Sequence, residues 1–124
     1  MVIIHKVTKG PSTVLFPVPI VLVTSFLEGS EPNILTITWT GIMNSEPPVV
    51  YIGVRPVGKY SHRLIKESGK YVINTPSADQ VWGVDICGTV SGQDVNKFKE
   101  AGLTPVPASQ VKAPLIAECP VNIA

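Results

Sequence analysis

The stretch Asn33-Ile-Leu-Thr-Ile-Thr-Trp-Thr-Gly41 decides how the rest of this chain is read. Apolar Ile34, Ile37 and Trp39 are interleaved with hydroxyls at Thr36, Thr38 and Thr40, and the run closes on a glycine. Successive side chains of a strand point to opposite faces. The spacing therefore predicts one half-buried strand, with Thr36, Thr38 and Thr40 on one face and Ile37 and Trp39 on the other. A row of hydroxyls, with free backbone at the strand end, suits a planar polar ligand. Alone, the same run is equally a plain half-buried strand.

On either side lie further strand signals. Pro19-Ile-Val-Leu-Val-Thr-Ser-Phe26 is continuous enough in β-branched residues to be buried on both faces. Glu28-Gly-Ser-Glu-Pro-Asn33 is turn chemistry that brings the chain back antiparallel. Pro48-Val-Val-Tyr-Ile-Gly-Val-Arg55 is a third strand, and Pro47-Pro48, lacking N–H donors, fixes its start. Tyr60 to Gly69 switches to a helical pattern, with Ser61 as N-cap and Gly69 as the left-handed stop. Lys70 to Thr75 is a fourth strand. Ser77-Ala-Asp-Gln80 has capping-box spacing and opens a second helix that Gly88 ends. A third short helix follows, N-capped by Asp94 and stopped by Gly102, and Pro114 to Ala124 reads as a last strand bent or broken at Pro120. Without a βαβ series or a Gly-rich phosphate turn, a doubly wound dinucleotide domain does not fit. The expected fold is mainly β, an antiparallel barrel with short helices packed outside.

Composition bounds the function classes. The chain has 124 residues, 44% of them hydrophobic and only 15% charged, which fits a single domain spanning 1–124. So little surface charge points to an oligomer. A net charge of +1 gives no field for nucleic acid or an anionic membrane. No run reaches the roughly 18 to 20 apolar residues of a membrane span, and the first residues do not read as a signal peptide. Cys87 and Cys119 match no metal or redox spacing and read as reduced thiols of a cytoplasmic protein. His5 and His62 form no metal pair, no Gly-x-Ser-x-Gly elbow exists, and no catalytic residue is assigned.

What remains are groups suited to an anionic, planar ligand. Arg55 stands at the end of the third strand, and Ser61 and His62 open the following helix, flanked by Lys59 and Arg63. By itself that turn is equally a capped helix with solvated cations. Lys97 before Phe98, Trp39 within its strand and Asn33 at the mouth of the hydroxyl row complete the set.

In combination and order, these blocks resemble the flavin reductase-like FMN-binding split-barrel family, in particular its flavoredoxin-type members. The similarity runs from about Pro17 to Asn122 through Pro19–Ser25, Asn33–Gly41, Pro47–Pro56, Tyr60–Ile65, Tyr71–Pro76, Cys87-Gly88, Ser91–Phe98 and Pro114–Asn122. The resemblance implies an antiparallel split barrel that forms a homodimer and binds FMN noncovalently near the subunit interface. It places Asn33 and Trp39 in the flavin pocket, with Thr36, Thr38 and Thr40 along the ring or ribityl chain. Ser45, Arg55, Tyr60, Ser61 and His62 fall on the phosphate and ribityl side, and Lys97 also serves the flavin. Two departures from the pattern stand out. Members usually carry an acidic residue where Asn96 stands. They also continue past the Glu118–Asn122 strand into segments that help enclose the flavin, so a C-terminally short domain is expected here. The implied activity passes electrons from a nicotinamide nucleotide, through FMN, to a flavin or redox-protein acceptor. The alternatives are an FMN electron carrier with no nicotinamide reaction of its own, or a cofactor-free homologue.

Overall fold

The computed structural model describes residues 1–56 and 60–124. A four-stranded antiparallel sheet in the order β2-β1-β5-β8 forms its centre. It is built from β1 (Val21–Ser25), β2 (Asn33–Ile37), β5 (Val72–Thr75) and β8 (Val121–Ile123). β3 (Thr40–Ser45) and β4 (Pro48–Ile52) make a separate hairpin, and β6 (Pro105–Val106) pairs with β7 (Leu115–Ile116). The helices are α1 (Tyr60–Ser68), α2 (Val81–Thr89) and α3 (Lys97–Ala101), with a 3-10 turn at Ala78–Gln80 leading into α2. No described helix is long and apolar enough to cross a membrane.

All five residues of β1 are buried, as its unbroken apolar run predicts. Its alternating side chains feed two cores. Leu22 joins Ile34, Cys87, Phe98, Leu103, Ile116 and Cys119 on the side covered by α2 and α3. Val21 and Val23 join Leu35, Ile37 and Ile73 on the other side, packed by Ile52, Val54, Ile65 and Tyr71. Fully buried Asn74 ties the central strands to the C-terminal segment. Its amide donates to the Leu22 carbonyl at 3.0 Å, and its Oδ1 accepts from the Ile116 N–H at 3.1 Å and from Asn122 Nδ2 at 2.7 Å.

Three expectations are corrected in detail. The Asn33–Gly41 run is two strands, because β2 pairs with β1 only as far as Ile37 opposite Val21. Continuing that register would set Trp39 against Pro19, which has no N–H to offer, so the chain leaves the sheet. It then pairs with β4, Thr40 facing Ile52 and the Gly53 N–H donating to the Trp39 carbonyl at 2.7 Å. Asn96, not Asp94, caps α3: its side chain accepts from the Lys99 N–H, while the Asp94 and Val95 N–H groups donate back to the Ser91 carbonyl and delay the helix. α2 runs through Gly88 to Thr89. The last segment is broken as expected, into β7 and β8 with Pro120 between them.

The β3–β4 hairpin leans out of the body. Ile42 is 81% and Met43 66% exposed, and Val49, Val50 and Tyr51 are also open to solvent. Leu15 and Phe16 add apolar surface from the N-terminal segment.

Candidate functional site

β2 is an edge strand, so one of its sides offers backbone N–H and C=O groups that no described strand pairs. Three cavities lie along it. The largest, about 430 Å³, is lined by β2 residues, Thr38, Trp39, Thr13 and the Gly53-Val54-Arg55 segment. That volume lies in the range of roughly 300–1,000 Å³ typical of sites for drug-sized ligands and cofactors. A second, about 160 Å³, is enclosed by Asn33, Tyr60, Ser61, Lys97 and the chain from Gly88 to Gly92. It shares Leu35 with the first. A third, about 300 Å³, shares Thr13, Thr38 and Trp39 with the first and continues to Tyr51 and Leu15. Together they make one groove, from a polar end at Lys97 to an aromatic end at Trp39 and Tyr51.

The polar end is built from side chains that folding has taken out of water. Asn33 and Ser61 are both buried, and Asn33 Nδ2 donates to Ser61 Oγ at 2.6 Å. Ser61 thus lies inside α1 as a partner of β2 rather than serving as its N-cap. Lys97 is 3% exposed, and its Nζ donates to the Cys87 carbonyl at 2.9 Å, reaching across from the start of α3 to the last turn of α2. A cation this deep needs partners, and it gives the pocket wall a positive charge. Burial pushes the Cys87 thiol up to about 11, and the Lys97 charge offsets only part of that. Cys87 is therefore a packed, protonated thiol. At the rim, the Arg63 guanidinium lies 5.4 Å from the centre of the Tyr60 ring.

The aromatic end is open. Trp39 is 47% exposed, a platform on the surface rather than a core residue. A Cβ on Gly53 would stand 3.2 Å from Trp39 Cβ, so the bare backbone there lets the indole lie close to the strand.

All three residues of the hydroxyl row line the groove, Thr36 and Thr38 the first cavity and Thr38 and Thr40 the third, but not from one unbroken strand. Thr36 shares its side of the sheet with Ile34, and its Oγ1 donates to the Val84 carbonyl of α2 at 2.6 Å. Thr40, beyond the break, donates to the Tyr51 carbonyl at 2.8 Å and borders the third cavity. Thr38 borders both the first and third. The residues of β2 that share the other face are Asn33, Leu35 and Ile37, so Thr36 and Ile37 lie on opposite faces as expected. Arg55 and Ser61 line adjacent cavities rather than the same one. Ser45 lies exposed near the hairpin tip opposite Pro48, and half-buried His62 sits on α1; neither lines any of the three cavities. Lys59 lies outside the described residues. Leu35, Gly53, Thr13 and Gly92 went unnoticed because apolar residues and loop glycines carry no chemical signature in a sequence.

A family model described as the flavin reductase like domain matches residues 13–124. The chain belongs to that family. Flavoredoxin of Desulfovibrio vulgaris (Miyazaki F) superposes with a TM-score of 0.87 at 37% identity, over 95% of this chain and 64% of that one. Flavoredoxin from Methanosarcina acetivorans gives 0.84 at 28% identity, over 96% of this chain and 62% of that one. An uncharacterised protein of Pyrococcus abyssi is 35% identical over 109 residues, covering 88% of this chain and 61% of its own length. The chain thus spans about 60% of the length of two curated relatives, that one and an uncharacterised protein of Archaeoglobus fulgidus. The fold of this flavin reductase-like domain is mainly β and antiparallel, with short helices, and its structural neighbours are split-barrel proteins. Asn96 caps α3, a position at which Asn and Asp serve equally.

Proposed function

We propose that this domain binds FMN in the β2 groove and acts as a flavin oxidoreductase. The observation that carries the reading is the groove itself. An open strand edge and an indole lie at one end, and a buried lysine with hydroxyl neighbours at the other. A planar heteroaromatic ring with an anionic tail has the matching polarity. Trp39 would pack the ring, backbone groups of β2 would meet its polar edge, and Lys97, Ser61 and Ser91 would receive the phosphate. Arg55, at the rim of the larger cavity, would add positive charge.

When bound, FMN supplies the redox chemistry, taking electrons from a reduced nicotinamide nucleotide and giving them to a flavin or redox-protein acceptor. The chain's own residues orient the cofactor and shield its tail. No side chain of the groove is assigned an acid or base role. The likeness to two flavoredoxins favours a second reading, an FMN carrier reduced by another protein. Anaerobic mixing with NADH and NADPH separates the two: bleaching of the oxidised flavin band supports the reductase, and no bleaching leaves the carrier.

A homodimer belongs to the proposal. A second copy packed on the β3–β4 hairpin would cover Ile42 and Met43, which are otherwise an unusual apolar exposure. Both buried cysteines are free thiols, which supports a cytoplasmic setting.

Comparing FMN with riboflavin tests the orientation. Lys97→Met should weaken FMN by about tenfold or more, the loss of one charge-assisted contact, and leave riboflavin nearly unchanged. Equal losses for both would place the phosphate elsewhere. A wild-type protein that is colourless and retains no added FMN would refute the flavin reading altogether.

A further inference from the structure

Gly92 lies in the turn between α2 and α3, where a sequence reads it as turn chemistry. Its backbone does not need glycine: left-handed φ values occur at Gly29, Gly69 and Gly102, not here. A side chain is excluded by something else. A Cβ on Gly92 would stand 2.0 Å from Asn33 Oδ1 and 2.7 Å from Asn33 Cγ, far inside contact distance, and 3.1 Å from Tyr60 Cδ1. The Asn33 carboxamide occupies the space that any other residue at 92 would fill.

That carboxamide is the one that donates to Ser61 at the polar end of the groove. The turn beneath it is held in place independently, by the Asp94 and Val95 N–H groups on the Ser91 carbonyl and the Gln93 N–H on Ser91 Oγ. A methyl group at 92 therefore meets a backbone that resists moving and a side chain that can rotate. Asn33 would yield, leave Ser61 without its donor and swing into a cavity of about 160 Å³ that has little room to spare.

We infer that Gly92 is a positioning residue: it acts through Asn33 to hold Ser61 and to keep the polar cavity open for an anionic ligand group. The ligand half of this inference rests on the flavin reading above. The Gly92–Asn33 interlock stands on geometry alone.

A double-mutant cycle tests it, with FMN affinity followed by fluorescence quenching in the wild type, Gly92→Ala, Asn33→Ala and the double variant. Gly92→Ala alone is expected to weaken FMN by about tenfold, but by less than about twofold once Asn33 is already Ala. If Gly92→Ala fails to fold, the double variant, freed of the obstructing carboxamide, should fold; if it does not, Gly92 serves some other purpose and the inference falls. An equal loss in both backgrounds, or none in either, also overturns it. Hydrogen exchange of the Asn33 side-chain amide in the ligand-free protein supplies a readout that needs no flavin. It should quicken about tenfold or more in Gly92→Ala as the buried bond to Ser61 breaks. Unchanged exchange refutes the interlock. A wild type that binds no FMN refutes the flavin reading and the ligand half with it, while the exchange result still decides the interlock.

Discussion

Replacing Thr36 by valine separates a structural hydroxyl from a ligand-binding one. The two side chains have nearly the same shape, so the contact of Thr36 with the Gly88 backbone, where an added Cβ would stand 3.3 Å from Thr36 Cβ, is preserved. What is lost is the 2.6 Å bond from Oγ1 to the Val84 carbonyl. That carbonyl lies within α2, and its other lone pair serves the helix's own ladder, so it is not left wholly unsatisfied. The cost is therefore that of one net hydrogen bond, about 1 kcal/mol. For a domain of this size the thermal midpoint should fall by about 3–5 °C. Thermal unfolding by circular dichroism reads the shift, and FMN titration on the same samples reads binding. Stability should fall while affinity stays within about twofold. An unchanged midpoint with weakened flavin binding would mean that the Thr36 hydroxyl reaches the ligand, and that its assignment to α2 is wrong.

Trp39→Ala is expected to behave in the opposite way: with the indole 47% exposed, stability should change by less than about 1 kcal/mol while FMN affinity falls. An unaltered FMN titration would remove Trp39 from the site. Asn74→Ala strands the buried Ile116 N–H and removes one of the two bonds of the Asn122 amide, so the urea midpoint should report a loss of about 2–4 kcal/mol; a loss below about 1 kcal/mol would show that water or another side chain replaces the network. The thiols give a pH test. Burial raises both Cys87 and Cys119 from the ordinary 9.0 to about 11, with Glu118 and Cys87 adding to the effect at Cys119. The fold thus favours the protonated thiols, so their contribution is fully present below pH 9 and lost as pH rises toward 11. Denaturant titrations from pH 8 to 10.5 should show falling stability, and native-state alkylation at pH 8 should be slow; rapid alkylation without unfolding would contradict the burial.

What the sequence determined by itself was local. The unbroken apolar run of β1, the turn at Gly29, the capping box at Ser77–Gln80 and the left-handed stop at Gly102 each follow from a few neighbouring residues, and all are present. The family, too, was legible, because its blocks keep their order along the chain. The tertiary structure decided which way those pieces face. The hydroxyl row of Thr36, Thr38 and Thr40 looked like one wall, but β2 leaves the sheet where Pro19 ends its ladder, and α2 claims Thr36. Asp94 looked like a cap until the Ser91 turn moved the helix start to Asn96. Nothing local to Gly92 reveals that Asn33 needs its space, because the two residues meet only when the edge of β2 comes against the turn between α2 and α3. Periodicity fixes alternation along a strand. Which of the two faces meets a helix and which meets a ligand depends on partners distant in sequence, and on where the backbone ladder runs out of donors.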